Sequence, residues 1–185
     1  VGEGRARWQS MIGAYDVNLP EGQAEADFAV VSESWLAGEL LISHGTLTPV
    51  ELHRSAERVV ADGRDTFTFG LVTRGILGGD FDGRACELRP GEVCVIDFSR
   101  PWTARTASTE FILVSAPRAP LVAAVPHAGD LHGRLLEGAT GRLLTEHFTA
   151  LVRHLPQARA EDIPVIQRAT LRMIAASLEA LGPGD

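Results

Sequence analysis

Six histidines, at positions 44, 53, 127, 132, 147 and 154, are the side chains best suited to hold a metal or move a proton. A catalytic metal held between β-strands needs imidazole and carboxylate converging from neighbouring strands. The pattern to look for is two histidines two apart before the Asp82-Gly83 turn, and another roughly ten residues past Pro90-Gly91. The first segment reads TFTFGLVTRG and the second position holds Arg100-Pro101-Trp102, so both parts are missing. His147 and His154 lie seven apart on a helical pattern, on one side but two turns from each other, which suits a satisfied or solvated pair rather than a shared ion. There is no Gly-x-Ser-x-Gly elbow. Gly78-Gly79 has no helix after it, so it belongs to a bulge or hairpin rather than a phosphate loop. No catalytic residue, metal ligand or cofactor is expected.

Binding groups are easier to find. Arg54 ends a strand: inward, it would hold a carboxylate bidentately, and outward it would be a solvated charge. His53 has the opposite parity, so only one of the two faces a cavity unless the strand bulges. Phe67, Phe69 and Leu71 share a strand face, as pocket wall or plain core. Trp102 would stack on a planar or sugar ligand, or plug a barrel mouth. Ile112 and Val114 form another same-face pair. Cys86 and Cys94 give no disulfide framework and suggest a reducing compartment. Symmetry about Pro90 would set them across a hairpin, where directly opposed positions strain a bridge.

The elements that position these residues begin with Thr66 to Thr103, where short β-prone segments alternate with turn signals at Asp82-Gly83 and Pro90-Gly91. This stretch is expected to form a meander of three or four antiparallel strands. Arg5 to Tyr15 reads as a short helix with Trp8, Met11, Ile12 and Tyr15 on one face. Strands follow at Phe28 to Leu36, Glu39 to Leu47 and Val50 to Arg54. Glu57 to Arg64 reads as a polar connection, Phe111 to Ser115 as a further strand, and Pro117 to Val125 as a brief helical turn before a loop at Pro126 to Asp130. About eight strands precede any long helix, an order that predicts a sandwich or small barrel rather than a parallel α/β sheet.

After Gly138 the period changes. Leu144, Phe148, Leu151 and Leu155 fall on one face of a helix from about Thr140 to Leu155, stopped by Pro156. Asp162 and Pro164 open a second helix whose stripe includes Ile166 and Ile174, and Gly182-Pro183-Gly184 ends it. Together these predict an antiparallel helical hairpin. Its stripes either cover the barrel or form a dimer interface through Leu144, Phe148, Leu151, Leu155, Ile166 and Ile174.

The 185 residues, 45% of them hydrophobic and 22% charged, fit one domain with a sizeable core. A formal net charge of -7 argues against direct nucleic-acid binding. All 17 basic residues are arginine, which genome-wide composition bias explains more simply than anion recognition. No apolar run reaches the roughly 20 residues of a membrane span, and no signal-peptide pattern opens the chain; a cytoplasmic protein is expected.

The run Arg54-Ser55, Arg74-Gly75, Leu88-Arg89-Pro90-Gly91-Glu92, Asp97, Arg100-Pro101-Trp102 and Pro117-Arg118 with Leu121 resembles the N-terminal cupin-like domain of AraC-type bacterial transcription regulators. Leu135-Leu136-Glu137-Gly138, Gly141 and Leu143-Leu144 resemble the start of its helical part. The resemblance implies a cupin-like antiparallel β-barrel or jelly roll over residues 1–137 followed by the helical hairpin over 138–185. It implies a domain that senses a small molecule, dimerises through its terminal helices, or both. DNA would be bound only by a separate C-terminal domain with two helix-turn-helix motifs, absent from this chain, which is expected to be a sensor domain cut from a longer protein. Arg54 matches an arginine of that family, Ile112 and Val114 its inward pair, and Trp102 stands where a metal cupin has a ligand histidine. The expected ligand contacts are Arg54, Phe67, Phe69, Leu71, Trp102 and Ile112, with a homodimer and an unnamed effector as partners. A metal-dependent cupin enzyme with atypical ligands and a purely structural dimerisation module are the alternatives.

Overall fold

The computed structural model describes residues 3–183. Among them, ten strands form two five-stranded antiparallel sheets. The first contains β1 (Asp16–Asn18), β4 (Val50–Arg54), β9 (Trp102–Thr106), β6 (Leu77–Phe81) and β7 (Arg84–Leu88), in that order. The second contains β2 (Val30–Ala37), β3 (Leu40–Leu47), β10 (Thr109–Pro117), β5 (Thr66–Arg74) and β8 (Val93–Asp97). The expected β-rich sandwich with terminal helices is the architecture observed.

Local chemistry explains the turns. Asp82 (φ 56°) and Gly83 (φ 87°) both take positive φ, as a two-residue hairpin between β6 and β7 requires. At Pro90-Gly91 the Glu92 N–H donates to the Arg89 carbonyl at 3.0 Å, and Gly91 supplies a φ of 90°. This second turn carries the chain from the first sheet to the second, because β7 pairs with β6 and β8 with β5. The expected meander is corrected accordingly: only β6 and β7 pair in sequence, as a hairpin, and the rest of β5 to β9 shuttle between the sheets. Gly79 sits in β6 for a steric reason. A Cβ there would meet the Thr103 carbonyl oxygen of β9 at 2.1 Å, so the strands approach only over glycine.

Two interiors result. Between the sheets lie Val17, Leu52, Val72, Phe81, Ile96, Phe98 and Trp102, with Trp8, Ile12 and Tyr15 packed against them. On the other face of the second sheet, Phe67, Phe69, Leu71, Val95, Ile112 and Val114 meet α4 (Gly138–His154) and α5 (Ile163–Leu181). The two helices run antiparallel: His147 Nε2 lies 2.8 Å from Thr170 Oγ1, and the Ser177 hydroxyl faces the Thr140 carbonyl at 3.5 Å.

Three local expectations change. Glu57 to Arg64 is largely a helix, α2 (Ala56–Asp62), started by the Ser55 hydroxyl, which accepts the Arg58 N–H at 3.2 Å, and ended by left-handed Gly63. The first helix, α1 (Glu3–Ile12), stops before Tyr15, and Met11 is 76% exposed rather than on its packed face. Strand β1 is an addition too short to show a period. The segment at 117–125 is α3 (Arg118–Ala124), and the loop after it is a 3-10 turn, Pro126–Leu131.

Candidate ligand site between the sheets

Strand β4 alternates regularly, with Val50, Leu52 and Arg54 buried while His53 is exposed. This settles the parity question: Arg54 points inward. Its guanidinium is already engaged. Nε donates to the Phe98 carbonyl at 2.8 Å, Nη1 to the Ala14 carbonyl at 2.5 Å, and Nη1 and Nη2 form a bidentate pair with Asp62 at 2.8 Å each. The guanidinium also lies 5.2 Å from the centre of the Phe98 ring. Hydrogen bonding from Arg54 holds the Asp62 carboxyl at about 2, below its ordinary 3.8. The carboxylate expected from a ligand is supplied by the chain itself, from the end of α2. Arg54 therefore ties α2 and the segment after α1 to the sandwich.

Trp102, at the start of β9, is 5% exposed and sits within an aromatic cluster. Tyr15 lies 5.2 Å away between ring centres, Phe98 5.7 Å and Phe81 6.3 Å, the last nearly parallel at 25°. It is an interior residue rather than a plug at a mouth. Its indole Nε1 is buried with no hydrogen-bond partner, a free donor in an otherwise satisfied neighbourhood. Burial raises the Tyr15 hydroxyl above its ordinary range.

The other expected contacts face away from this interior. Phe67, Phe69, Leu71 and Ile112 lie on the helix side of the second sheet, each no more than 2% exposed. The pattern misled because β5 is buried on both faces, so period two marked a face without saying what lay beyond it. The helical stripes answer the complementary question. Leu144, Phe148, Leu151, Leu155 and Ile174 are buried against that same sheet, and Ile166 packs on it half-buried. These six serve the fold within one chain, which corrects their reading as surface available to a second copy.

A second polar cluster adjoins the sandwich. Asp97, fully buried, accepts both the Ser99 hydroxyl at 2.7 Å and its N–H at 2.9 Å, and pairs with Arg118 at the start of α3. Its own N–H donates to His132 Nδ1 at 2.9 Å, while His132 Nε2 faces the Pro101 carbonyl at 3.3 Å. That arrangement requires the neutral ring with its proton on Nε2, and burial correspondingly lowers the His132 pKa. Outside the sandwich, an open cleft of about 900 Å³ crosses the first sheet, lined by Asn18, Glu51, His53, Thr103 and Arg105. An ion pair of 3.0 Å between Glu51 and Arg105 lies there. No group of three or more metal-ligating side chains occurs among the described residues, and no helix among them is long and apolar enough to cross a membrane.

Asp62, Tyr15, Phe81, Phe98, Asp97 and His132 were not singled out as candidates. Ser55 and Gly63, standing as start and stop signals around AERVVAD, were the available clue to α2 and so to Asp62. Arg118 and His132, which meet Asp97, and Tyr15 and Phe81, which meet Trp102, come from distant segments and left no local signal.

The fold is similar to that of the AraC-like transcriptional activator CuxR, with 24% identity and a TM-score of 0.90 over 96% of this chain and 66% of that one. The chain thus spans just under two thirds of that protein's length. Weaker likenesses include an RmlC-like cupin protein from Desulfovibrio desulfuricans (22% identity, TM-score 0.39, 54% of this chain and 93% of that one) and the Clostridium difficile EutQ protein (16%, 0.39, 54% and 69%). No curated protein matches the sequence. The AraC-binding-like domain matches residues 12–179, a span that takes in every strand and nearly all of both long helices, and the chain belongs to that family.

Proposed function

We propose that this chain is the regulatory domain of an AraC-type transcription regulator of the cytoplasm, sensing a small molecule and pairing with a second copy. DNA would be contacted only by a helix-turn-helix domain outside it. The observation that carries this reading is the family match over residues 12–179. A formal net charge of -7 also suits a domain that leaves DNA to a partner domain. Regulation is favoured over catalysis because the histidines meet no shared ion site: His132 is engaged by backbone groups and His147 by Thr170.

The effector is proposed to enter between the sheets beside Trp102, with one acceptor atom taking the free indole N–H. Dimerisation is proposed through the outer side of the helical layer, where Leu143 is 61% and Val165 58% exposed. A second reading has its own support. The interior around Trp102 is packed with the chain's own rings, as a dimerisation module without an effector would have it. Native mass spectrometry before and after denaturation separates these readings. A dimer carrying extra non-covalent mass supports the sensor. A dimer that remains bare and fails to bind across a metabolite library supports the module, and a monomer at micromolar concentration overturns the dimer.

A further inference from the structure

We propose that Cys86 and Cys94 form a reversible disulfide on exposure to a peroxide, joining the end strands of the two sheets. Their sulfurs stand 3.8 Å apart, and both thiols are free. Cys86 lies on β7, the last strand of the first sheet, and Cys94 on β8, the last strand of the second. The strain that opposes a bridge between directly paired strand positions does not apply, because these strands do not pair with each other. The residues face one another across the sandwich edge, linked by the Pro90-Gly91 turn.

Access and chemistry differ between the two. Cys86 is half-buried and reachable by a small oxidant, whereas Cys94 is fully buried. The Cys94 thiol beside it favours the Cys86 thiolate, aided by Arg84 and opposed by burial and Glu92. Contact with Cys86, together with burial, keeps Cys94 protonated. Cys86 is therefore the attacking sulfur and Cys94 the resolving one. The Cys86 thiolate attacks one peroxide oxygen and the O–O bond breaks. Cys86 becomes a sulfenic acid, and the departing hydroxide takes a proton to become water. The Cys94 sulfur then attacks the Cys86 sulfur, and the hydroxyl leaves with the Cys94 proton as a second water. Two electrons pass from the sulfur pair to the peroxide.

The latch sits where the sandwich meets the helical layer. Cys94 bridges Leu135 through its backbone, on the segment leading into α4, and the Gly91 carbonyl accepts the Thr145 hydroxyl of α4 at 2.9 Å. A bond here would fix the edge of the first sheet to the strand on which that segment rests.

The test treats the reduced, folded chain with hydrogen peroxide, then unfolds it, alkylates free thiols and measures intact mass. The bridged chain should take up no alkyl groups, weigh two hydrogens less than the reduced form, yield a Cys86–Cys94 linked peptide and return to two alkylatable thiols with dithiothreitol. Its thermal midpoint should exceed that of the reduced form. Cys94→Ala should stop at a Cys86 sulfenic acid that a 1,3-diketone traps, and Cys86→Ser should leave Cys94 unoxidised. Two thiols still alkylatable after peroxide, oxygen added to Cys86 while Cys94 stays free, or disulfides only between chains would each overturn the proposal.

Discussion

The two faces of the second sheet are buried by different means. Toward α4 and α5 the packing is mostly aliphatic and phenyl, with two polar exceptions: the His147–Thr170 contact and, at the end of the sheet, the Asp97–Arg118 pair beside Phe67. Toward the first sheet, aromatic rings surround a buried arginine with its carboxylate, and His132 lies close by against Phe81. Dispersion and water exclusion hold the helical side and make few directional demands. The inter-sheet side depends on hydrogen bonds whose partners come from α2, the segment after α1 and His132, just past the 3-10 turn. It should be the more sensitive to pH, and it holds the buried indole N–H of Trp102, which has no partner among the described residues.

The comparison can be broken most forcefully at its two centres. Phe148→Ala should cost about 3–5 kcal/mol in denaturant unfolding, because the fully buried ring leaves a cavity between helix and sheet. Arg54→Ala should cost a similar ~3–5 kcal/mol, since it leaves two carbonyls without their donor, empties the space of a fully buried side chain and leaves Asp62 with Arg64 alone. If Arg54→Ala were nearly neutral, the polar account of the inter-sheet side would fail. Asp62→Asn should cost roughly 1–3 kcal/mol, the ordinary worth of a hydrogen bond to a charged group. It should also remove an acid-dependent limb. The Asp62 pKa is depressed when folded, so its contribution is present above the unfolded 3.8 and is lost as pH falls toward about 2, visible as a flatter stability curve in the variant.

Smaller effects sharpen the contrast. His132 has a folded pKa below 6.5, so the unfolded chain binds the proton first and stability should decline as pH falls below 6.5. His147 behaves alike in the helical layer. Replacing each with Gln and measuring thermal midpoints across that range apportions the decline, and an unchanged slope in His132→Gln would remove the claim for the inter-sheet side. Leu143→Ala, at an exposed helical position, should stay within about 0.5 kcal/mol in the monomer. The same variant should weaken self-association if the outer helical side pairs with a second copy.

Much of the fold was legible before any coordinates. Asp82-Gly83 and Pro90-Gly91 announce turns because few other residues accept those dihedrals, and the stripes of α4 and α5 repeat at helical spacing over about three turns or more. The site was less legible. The sequence singles out Trp102 and Arg54 but leaves their direction open; the fold turns both inward and neutralises Arg54 with Asp62, from a stretch that reads as a connection. Phe67, Phe69 and Leu71 read as pocket wall or plain core, and the fold packs them against the helices. Local spacing reports whether a residue is covered, since burial follows from the period of its own strand or helix.

Composition, turn chemistry and periodicity thus determined by themselves a β-rich sandwich or barrel followed by two amphipathic helices. Tertiary structure alone decided which sheet face meets those helices, which carboxylate meets Arg54, and that Cys86 meets Cys94 across an edge rather than along a hairpin. These are contacts between segments remote in the chain or in different sheets, and no local pattern of side chains records which remote surface will arrive to cover it.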